Sequence, residues 1–276
     1  MNVKTPSLPS CIYGTAWKKG ATAGLVKTAV KAGFSAIDTA NQPKHYQEPL
    51  VGDALEALAA EGISRESLFI QTKFTPINGQ DHHVPYDPDA PAGEQVRQSF
   101  ESSLRNLRTE YVDSYLLHGP YSYPGLVDED WEVWKAMEDI YESGRARMIG
   151  ISNVNVLQLA ALIHHATVKP MAVQNRCFAN RGWDRRAREL CKEQRIMYQG
   201  FSLLTANPLV LRHPEVVSIA RGIGVHPEQV IFRFAMQVGM TPLTGTTNLE
   251  HMKEDLGVFD IQLTAGDVTF IETIEG

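Results

Sequence analysis

Residues Phe34 to Gly52 read FSAIDTANQPKHYQEPLVG. Phe34 to Asp38 has the make-up of a short buried strand, and it ends on a carboxylate. A loop then carries a phenol, Tyr46, before an acidic helix start at Glu48. Two later stretches end in a similar way. Leu68 to Lys73 (LFIQTK) is an apolar strand finishing on a lysine, and Val112 to His118 (VDSYLLH) finishes on an imidazole. Core packing does not call for an acid, a cation and an imidazole at three successive strand ends. In a parallel barrel all such ends meet at one mouth, where active sites sit. Asp38, Tyr46, Lys73 and His118 are therefore expected to converge.

Working outward, strand and helix patterns alternate along the whole chain. Cys11 to Thr15 reads as a first strand and Lys18 to Ala32 as its helix. Helices are expected over Glu48–Glu61, Glu94–Leu107, Asp128–Ser143 and Val154–His165. The remaining strands fall at Ala146–Ser152, Met171–Asn175, Ile196–Ser202 and Thr241–Gly245. Arg181 to Arg195 carries charges at helical spacing, as a solvated helix face would. Helices at Pro214–Arg221 and Pro227–Val238 follow, and Leu249–Leu256 begins the last one. Eight such units without a linker predict an α/β fold, a (β/α)8 barrel forming one domain over residues 1–276. A Rossmann domain is the rival, but no GxGxxG occurs; Gly222-Ile-Gly224 lies between two helices. Thr75 to Gly93 is rich in Pro, Gly and Asp. A loop of that length is usually a functional lid or disordered; it is expected over the mouth, setting substrate choice.

The chain has 276 residues, 43% of them hydrophobic, which suits one barrel of about 250 residues with a large core. Its net charge of −6 argues against nucleic acid or an anionic membrane as partner. Three cysteines without CxxC spacing read as reduced thiols, and Met1 to Lys18 lacks the apolar core of a signal peptide, so a cytoplasmic protein is expected. No apolar run is long enough to span a membrane. His82-His83 and His164-His165 lack i, i+4 spacing and nearby cysteines, so no metal site is expected.

Any one of the four polar residues alone is more often a satisfied structural group; together they make a chemical set. A phenol has a pKa of about 10. An ammonium about 4 Å away interacts by about 4 kcal/mol at an effective dielectric of 20, and about 2.7 kcal/mol lowers a pKa by two units. Lys73, aimed by Asp38, is thus expected to acidify Tyr46, with the Asp38 charge working against the shift unless it stands on the far side of the ammonium. His118 would orient a substrate oxygen. Such a set suits giving a proton to a carbonyl oxygen as it becomes an alkoxide.

The set resembles the aldo-keto reductases, and the resemblance covers nearly the whole chain. That family's Asp, Tyr, Lys and His tetrad falls on Asp38, Tyr46, Lys73 and His118. Acid and phenol lie eight residues apart here, so Asn41 to His45 must bulge for Tyr46 to arrive. The family's Gly-Thr-Trp-Lys turn is similar to Gly14-Thr15-Ala16-Trp17-Lys18, implying Thr15 and Ala16 beside the cofactor. Ser152, Asn153 and Gln174 match the residues that hold the nicotinamide amide. Phe201, before Ser202-Leu203-Leu204, stands where the ring that stacks on nicotinamide belongs. Thr244-Gly245-Thr246-Thr247 follows the eighth strand, where barrels bind phosphate with loop amides and a helix N-terminus, and Thr247 with Glu250 resembles a capping box. Gly245 and His251 occupy positions where relatives reading a 2′-phosphate usually carry Lys and Arg. Glu254 and Asp255 match adenine-contacting positions, with Asp in place of the usual Asn.

The resemblance implies reversible NAD(P)H-dependent reduction of a small-molecule aldehyde or ketone. NADP(H) is favoured over NAD(H), read by the Thr246 hydroxyl, backbone amides and His251. Trp17, Tyr46, His118 and Tyr121 are expected to wall the substrate pocket. The rival reading, a cofactor-binding regulatory or partner subunit like the potassium-channel β subunits of the family, differs by showing little turnover. Nothing in the sequence fixes the oligomeric state.

Overall fold

The computed structural model describes residues 8–274. Eight parallel strands alternate with helices: β1 (Ile12–Gly14), β2 (Ala36–Asp38), β3 (Phe69–Phe74), β4 (Ser114–Leu117), β5 (Ile149–Ser152), β6 (Ala172–Arg176), β7 (Met197–Phe201) and β8 (Met240–Thr244). Each strand pairs with the next, and β1 pairs with β8 through Ile12 and Leu243, closing the predicted barrel. The strands are shorter than their apolar runs. Val112, expected inside the fourth strand, makes only an isolated bridge to Ala146.

The helical layer is α1 (Thr22–Ala32), α2 (Glu48–Ala60), α3 (Ala92–Leu107), α4 (Asp128–Glu142), α5 (Val156–His165), α6 (Arg185–Gln194), α7 (Pro208–Leu211), α8 (Pro214–Ile223), α9 (Pro227–Gln237), α10 (Leu249–Gly257) and α11 (Ala265–Thr273). Period-2 alternation along the strands makes two apolar regions. One set of side chains, including Ile37, Ile70, Tyr115 and Val173, packs outward against the helices. The other, Ile12, Ala36, Phe69, Leu116, Met148, Ala172 and Met197, fills the barrel interior. Farther toward the C-terminal ends of the strands the interior turns polar, with Gln71, Lys73, Asp38, Gln174 and Gln199 all buried.

Glu48, at the start of α2, is buried and bonded to Thr72, to Ser103 Oγ at 3.1 Å and to Asn106 Nδ2 at 3.3 Å. It ties α2 to β3 and α3. One turn later α2 runs so close to α3 that a Cβ on Gly52 would lie 2.1 Å from the Asn106 carbonyl oxygen. Only glycine fits there.

The expected helix over Arg181–Arg195 starts at Arg185, because Trp183 and Asp184 take left-handed φ of 53° and 55°. That turn buries the Trp183 ring, whose Nε1 donates to Ile271 O at 2.8 Å. The helix begun at Leu249 is not the last. α11 follows, capped by Thr264, which accepts from Asp267 N at 3.1 Å. No helix among the described residues is long and apolar enough to cross a membrane. The first seven residues, part of the stretch read for a signal peptide, lie outside the described residues.

Candidate active site

The three strand ends meet as expected. Asp38 closes β2, and its carboxylate accepts from Lys73 Nζ at 2.6 Å and 2.7 Å, from Gln71 Nε2 at 2.7 Å and from Gln174 Nε2 at 3.0 Å. The ammonium also donates to Thr39 O at 2.9 Å, so all three of its protons are placed. Below, Gln71 and Gln199 exchange reciprocal amide bonds of 2.8 Å, and Gln174 Nε2 adds a third at 2.8 Å to Gln199 Oε1.

Tyr46 arrives on a tight turn that absorbs the extra residues after Asp38. His45 N and Tyr46 N both donate to Gln42 O at 3.0 Å. Asn41 Nδ2 reaches Ser99 O at 2.9 Å and Gln42 Nε2 reaches Gly79 O at 2.6 Å, pinning the turn from below and from the side. Lys73 Nζ lies 5.3 Å from the centroid of the Tyr46 ring. The His118 ring stands edge-on to it, centroids 5.9 Å apart. His118 Nδ1 is 2.7 Å from Thr75 Oγ1.

This geometry corrects the expected electrostatics. Lys73 gives its protons to Asp38 and Thr39 and makes no hydrogen bond to the phenol, and its charge is offset by the carboxylate it touches. Burial, reinforced by Asp38, therefore pushes the Tyr46 pKa up rather than down. Burial also pushes Lys73 down, with Asp38 opposing. For His118, burial and then the Lys73 charge drive the pKa well below 6.5, so the imidazole is neutral near pH 7.

Above these groups opens a cavity of about 780 Å³. Trp17, Tyr46 and His118 line it, with Asp38 at its floor. Ala16, Ser152, Gln174 and Phe201 follow along the wall, then Ser202, Leu203 and Leu204 after β7. Gly245, Thr246, His251, Glu254 and Asp255 line the part beyond β8. Trp17, Asn153 and Ser202, just past the ends of β1, β5 and β7, adopt left-handed φ of 64°, 52° and 56°, a conformation uncommon for non-glycine residues.

Four expected contacts fall outside the cavity wall. Thr15 is fully buried, its hydroxyl turned back to Asp38 O at 2.9 Å. Asn153 points its Nδ2 at His118 O, 2.8 Å away. Thr247 is exposed, and the helix cap belongs to Asn248, whose Oδ1 accepts from Glu250 N at 2.9 Å. The Tyr121 hydroxyl is buried with no partner among the described residues. Loop 75–91 contributes nothing to the wall either. It leaves from the mouth end of β3 but folds against the barrel rim, with Tyr86 on Phe74 at 5.5 Å and its hydroxyl donating to Thr75 O at 2.8 Å.

Other residues at the site were given no role of their own from sequence. His45 stacks on Trp17 with centroids 4.0 Å apart, Lys18 reaches across to Gly245 O, and Arg176 stands over the Phe201 ring at 5.5 Å. Gln71, Gln199 and Arg176 each lie two residues from a recognised position, so strand alternation could have found them. Asp81, His82 and His83 gather on the exposed loop with ligand atoms within 4.8 Å of one another. There the Asp81 carboxylate caps its own turn, accepting from His83 N at 2.8 Å.

The donor set fits a nicotinamide dinucleotide. Phe201 offers a ring face, and Gln174, its Nε2 committed to Asp38 and Gln199, keeps Oε1 for an amide N–H. Thr246 Oγ1 accepts from Asn248 N at 3.2 Å and retains its proton for an anion.

A family model described as "Aldo/keto reductase family" matches residues 15–210 and 209–275. The chain is 33% identical over 251 residues to the uncharacterized oxidoreductase YtbE of Bacillus subtilis, covering 90% of this chain and 82% of that one. It is 30% identical over 249 residues to the glyoxal reductase of the same organism, with coverage of 90% and 82%. Among solved structures, an aldo/keto reductase from Brucella melitensis superposes with a TM-score of 0.80 at 27% identity, covering 96% of this chain and 94% of that one. The aldose reductase of Schistosoma japonicum gives 0.82 at 26% identity, covering 97% and 88%. With its closed barrel and its match across both halves, this chain belongs to the aldo/keto reductase family.

Proposed function

We propose that this protein reduces aldehydes or ketones to alcohols, reversibly, with NADP(H) in preference to NAD(H). The observation that carries the reading is the buried Asp38–Lys73 pair set beneath Tyr46 and a neutral His118 at the mouth of the cavity. When bound, a reduced nicotinamide would supply the hydride. The chain's own residues handle the substrate oxygen. Tyr46 keeps its proton at ordinary pH, because burial and Asp38 hold the phenol pKa up. A nascent alkoxide is a much stronger base than a phenolate, so the proton passes from Tyr46 Oη to it without prior acidification. His118 aims the oxygen from the side, and the Asp38–Lys73 pair fixes the floor while adding little net charge.

NADP(H) is favoured by the cluster beyond β8, where Gly245, Thr246 and His251 line the cavity and could offer a hydroxyl, loop amides and an imidazole to a phosphate. Glu254 and Asp255 stand beside them as partners for adenine. Membership of the aldo/keto reductase family supports a nicotinamide cofactor, and the glyoxal reductase among the relatives supports reactive aldehydes as substrates. The test is fluorescence titration with NADPH and NADH, followed by loss of reduced-nicotinamide absorbance across a panel of aldehydes. Tighter binding of NADH would reject the cofactor preference. Binding without turnover on any carbonyl would reject the reaction.

A further inference from the structure

Thr75 follows β3 directly and is buried, and its Oγ1 has one partner among the described residues, His118 Nδ1 at 2.7 Å. Its backbone is held as well. Thr75 O accepts from Tyr86 Oη at 2.8 Å and from Gln80 Nε2 at 3.2 Å. The chain wraps so closely that a Cβ on Gly79 would lie 2.8 Å from Thr75 Cγ2. The hydroxyl is therefore fixed against the imidazole.

A neutral imidazole carries one N–H, and a hydroxyl both donates and accepts. If Nδ1 bore the proton it would donate to Oγ1, and the threonine O–H would be buried with nothing to donate to. That arrangement costs the desolvation of a donor, about 1–3 kcal/mol. If Oγ1–H donates to Nδ1, both groups are satisfied and the imidazole proton must sit on Nε2. From this we infer that Thr75 is a positioning residue that locks His118 as the Nε2–H tautomer, so that the ring meets the substrate oxygen as a hydrogen-bond donor and cannot act there as a base. The 75–91 segment then acts on the reaction by holding Thr75 in place rather than by covering the mouth.

The inference rests on the proposed carbonyl reduction for its kinetic consequence, but the tautomer itself is readable in the resting protein. Long-range ¹H–¹⁵N spectra of histidine-labelled protein, with His118 assigned by comparison with His118→Gln, should show a protonated Nε2 and an unprotonated Nδ1. In Thr75→Val the two nitrogens should move toward averaged shifts, and Thr75→Ser should restore the parent pattern. With an aldehyde the valine variant should lose about tenfold in kcat/KM, the scale of one hydrogen bond, while NADPH affinity holds and serine rescues. A protonated Nδ1 in the parent protein overturns the inference whether or not any carbonyl is turned over. So does a valine variant whose His118 spectrum is unchanged. Should valine prevent folding, the parent and serine spectra decide alone. Absence of turnover in a parent with the expected spectrum would reject the reaction and leave the tautomer assignment standing.

Discussion

Replacing Asp255 with asparagine should make the protein more stable at neutral and alkaline pH. The residue is buried on α10, and its carboxylate accepts one hydrogen bond, from Thr244 Oγ1 at 2.7 Å. Burial raises its pKa from an ordinary 3.8 to about 6, with Glu254 and Glu228 adding repulsion and His251 opposing. The folded state therefore binds more protons than the unfolded one between those values, and stability falls as pH rises through them. A separation of about 2.2 pH units, at about 1.4 kcal/mol each, is worth about 3 kcal/mol, present in full at low pH and absent by about pH 7. Asparagine cannot ionise and can still accept from Thr244. In urea unfolding of the cofactor-free protein, the advantage of Asp255→Asn should be about 2 kcal/mol larger near pH 8 than near pH 4.5. An advantage independent of pH, or a variant less stable at pH 8, would refute the claim that a charge is being buried there.

Tyr46→Phe should keep the fold and bind NADPH with unchanged affinity, yet lose at least about 100-fold in aldehyde reduction, since only the proton donor is removed; a near-parental rate would exclude it as the acid. Parental enzyme should show no fall in reduction near pH 7–8 from ionisation of Tyr46, because its pKa is raised, and a kcat profile declining there and abolished in Tyr46→Phe would contradict the geometry. His251→Arg should tighten NADPH about three- to tenfold with little change for NADH, as charge-assisted bonds are roughly twice as strong as neutral ones; titration with both cofactors decides. Gly52→Ala should cost about 1–3 kcal/mol in urea unfolding, because its methyl group meets the Asn106 carbonyl at 2.1 Å.

The barrel and the convergence of Asp38, Tyr46, Lys73 and His118 were legible because both depend on order along the chain. Alternating patterns gave eight units, and strand ends marked the polar residues. What the sequence hid depends on contacts across the closed barrel. Gln71 and Gln199 are 128 residues apart, and only barrel closure reveals that their amides pair beneath Asp38. The lysine effect on Tyr46 was misjudged for the same reason, since no pattern shows that Asp38 and Thr39 absorb every lysine proton. Thr247 and Asn248 are both good capping residues, and a one-residue offset moved the cap to the second. The length of Thr75–Gly93 suggested a lid. Its apolar anchor, Tyr86 against Phe74, turns it into a brace.

The amide cluster of Gln71, Gln174 and Gln199 has a consequence for how charge moves above it. Water answers a shifting charge by rotating its molecules, and that rotation is a large part of the resistance to moving the charge. Here each amide is fixed by its neighbours: turning any one would set N–H against N–H or oxygen against oxygen. The dipoles under Asp38 therefore cannot follow an event as fast as proton transfer, and they have no need to, because folding has already oriented them. The barrel interior acts there as a solvent of very low reorganisation energy.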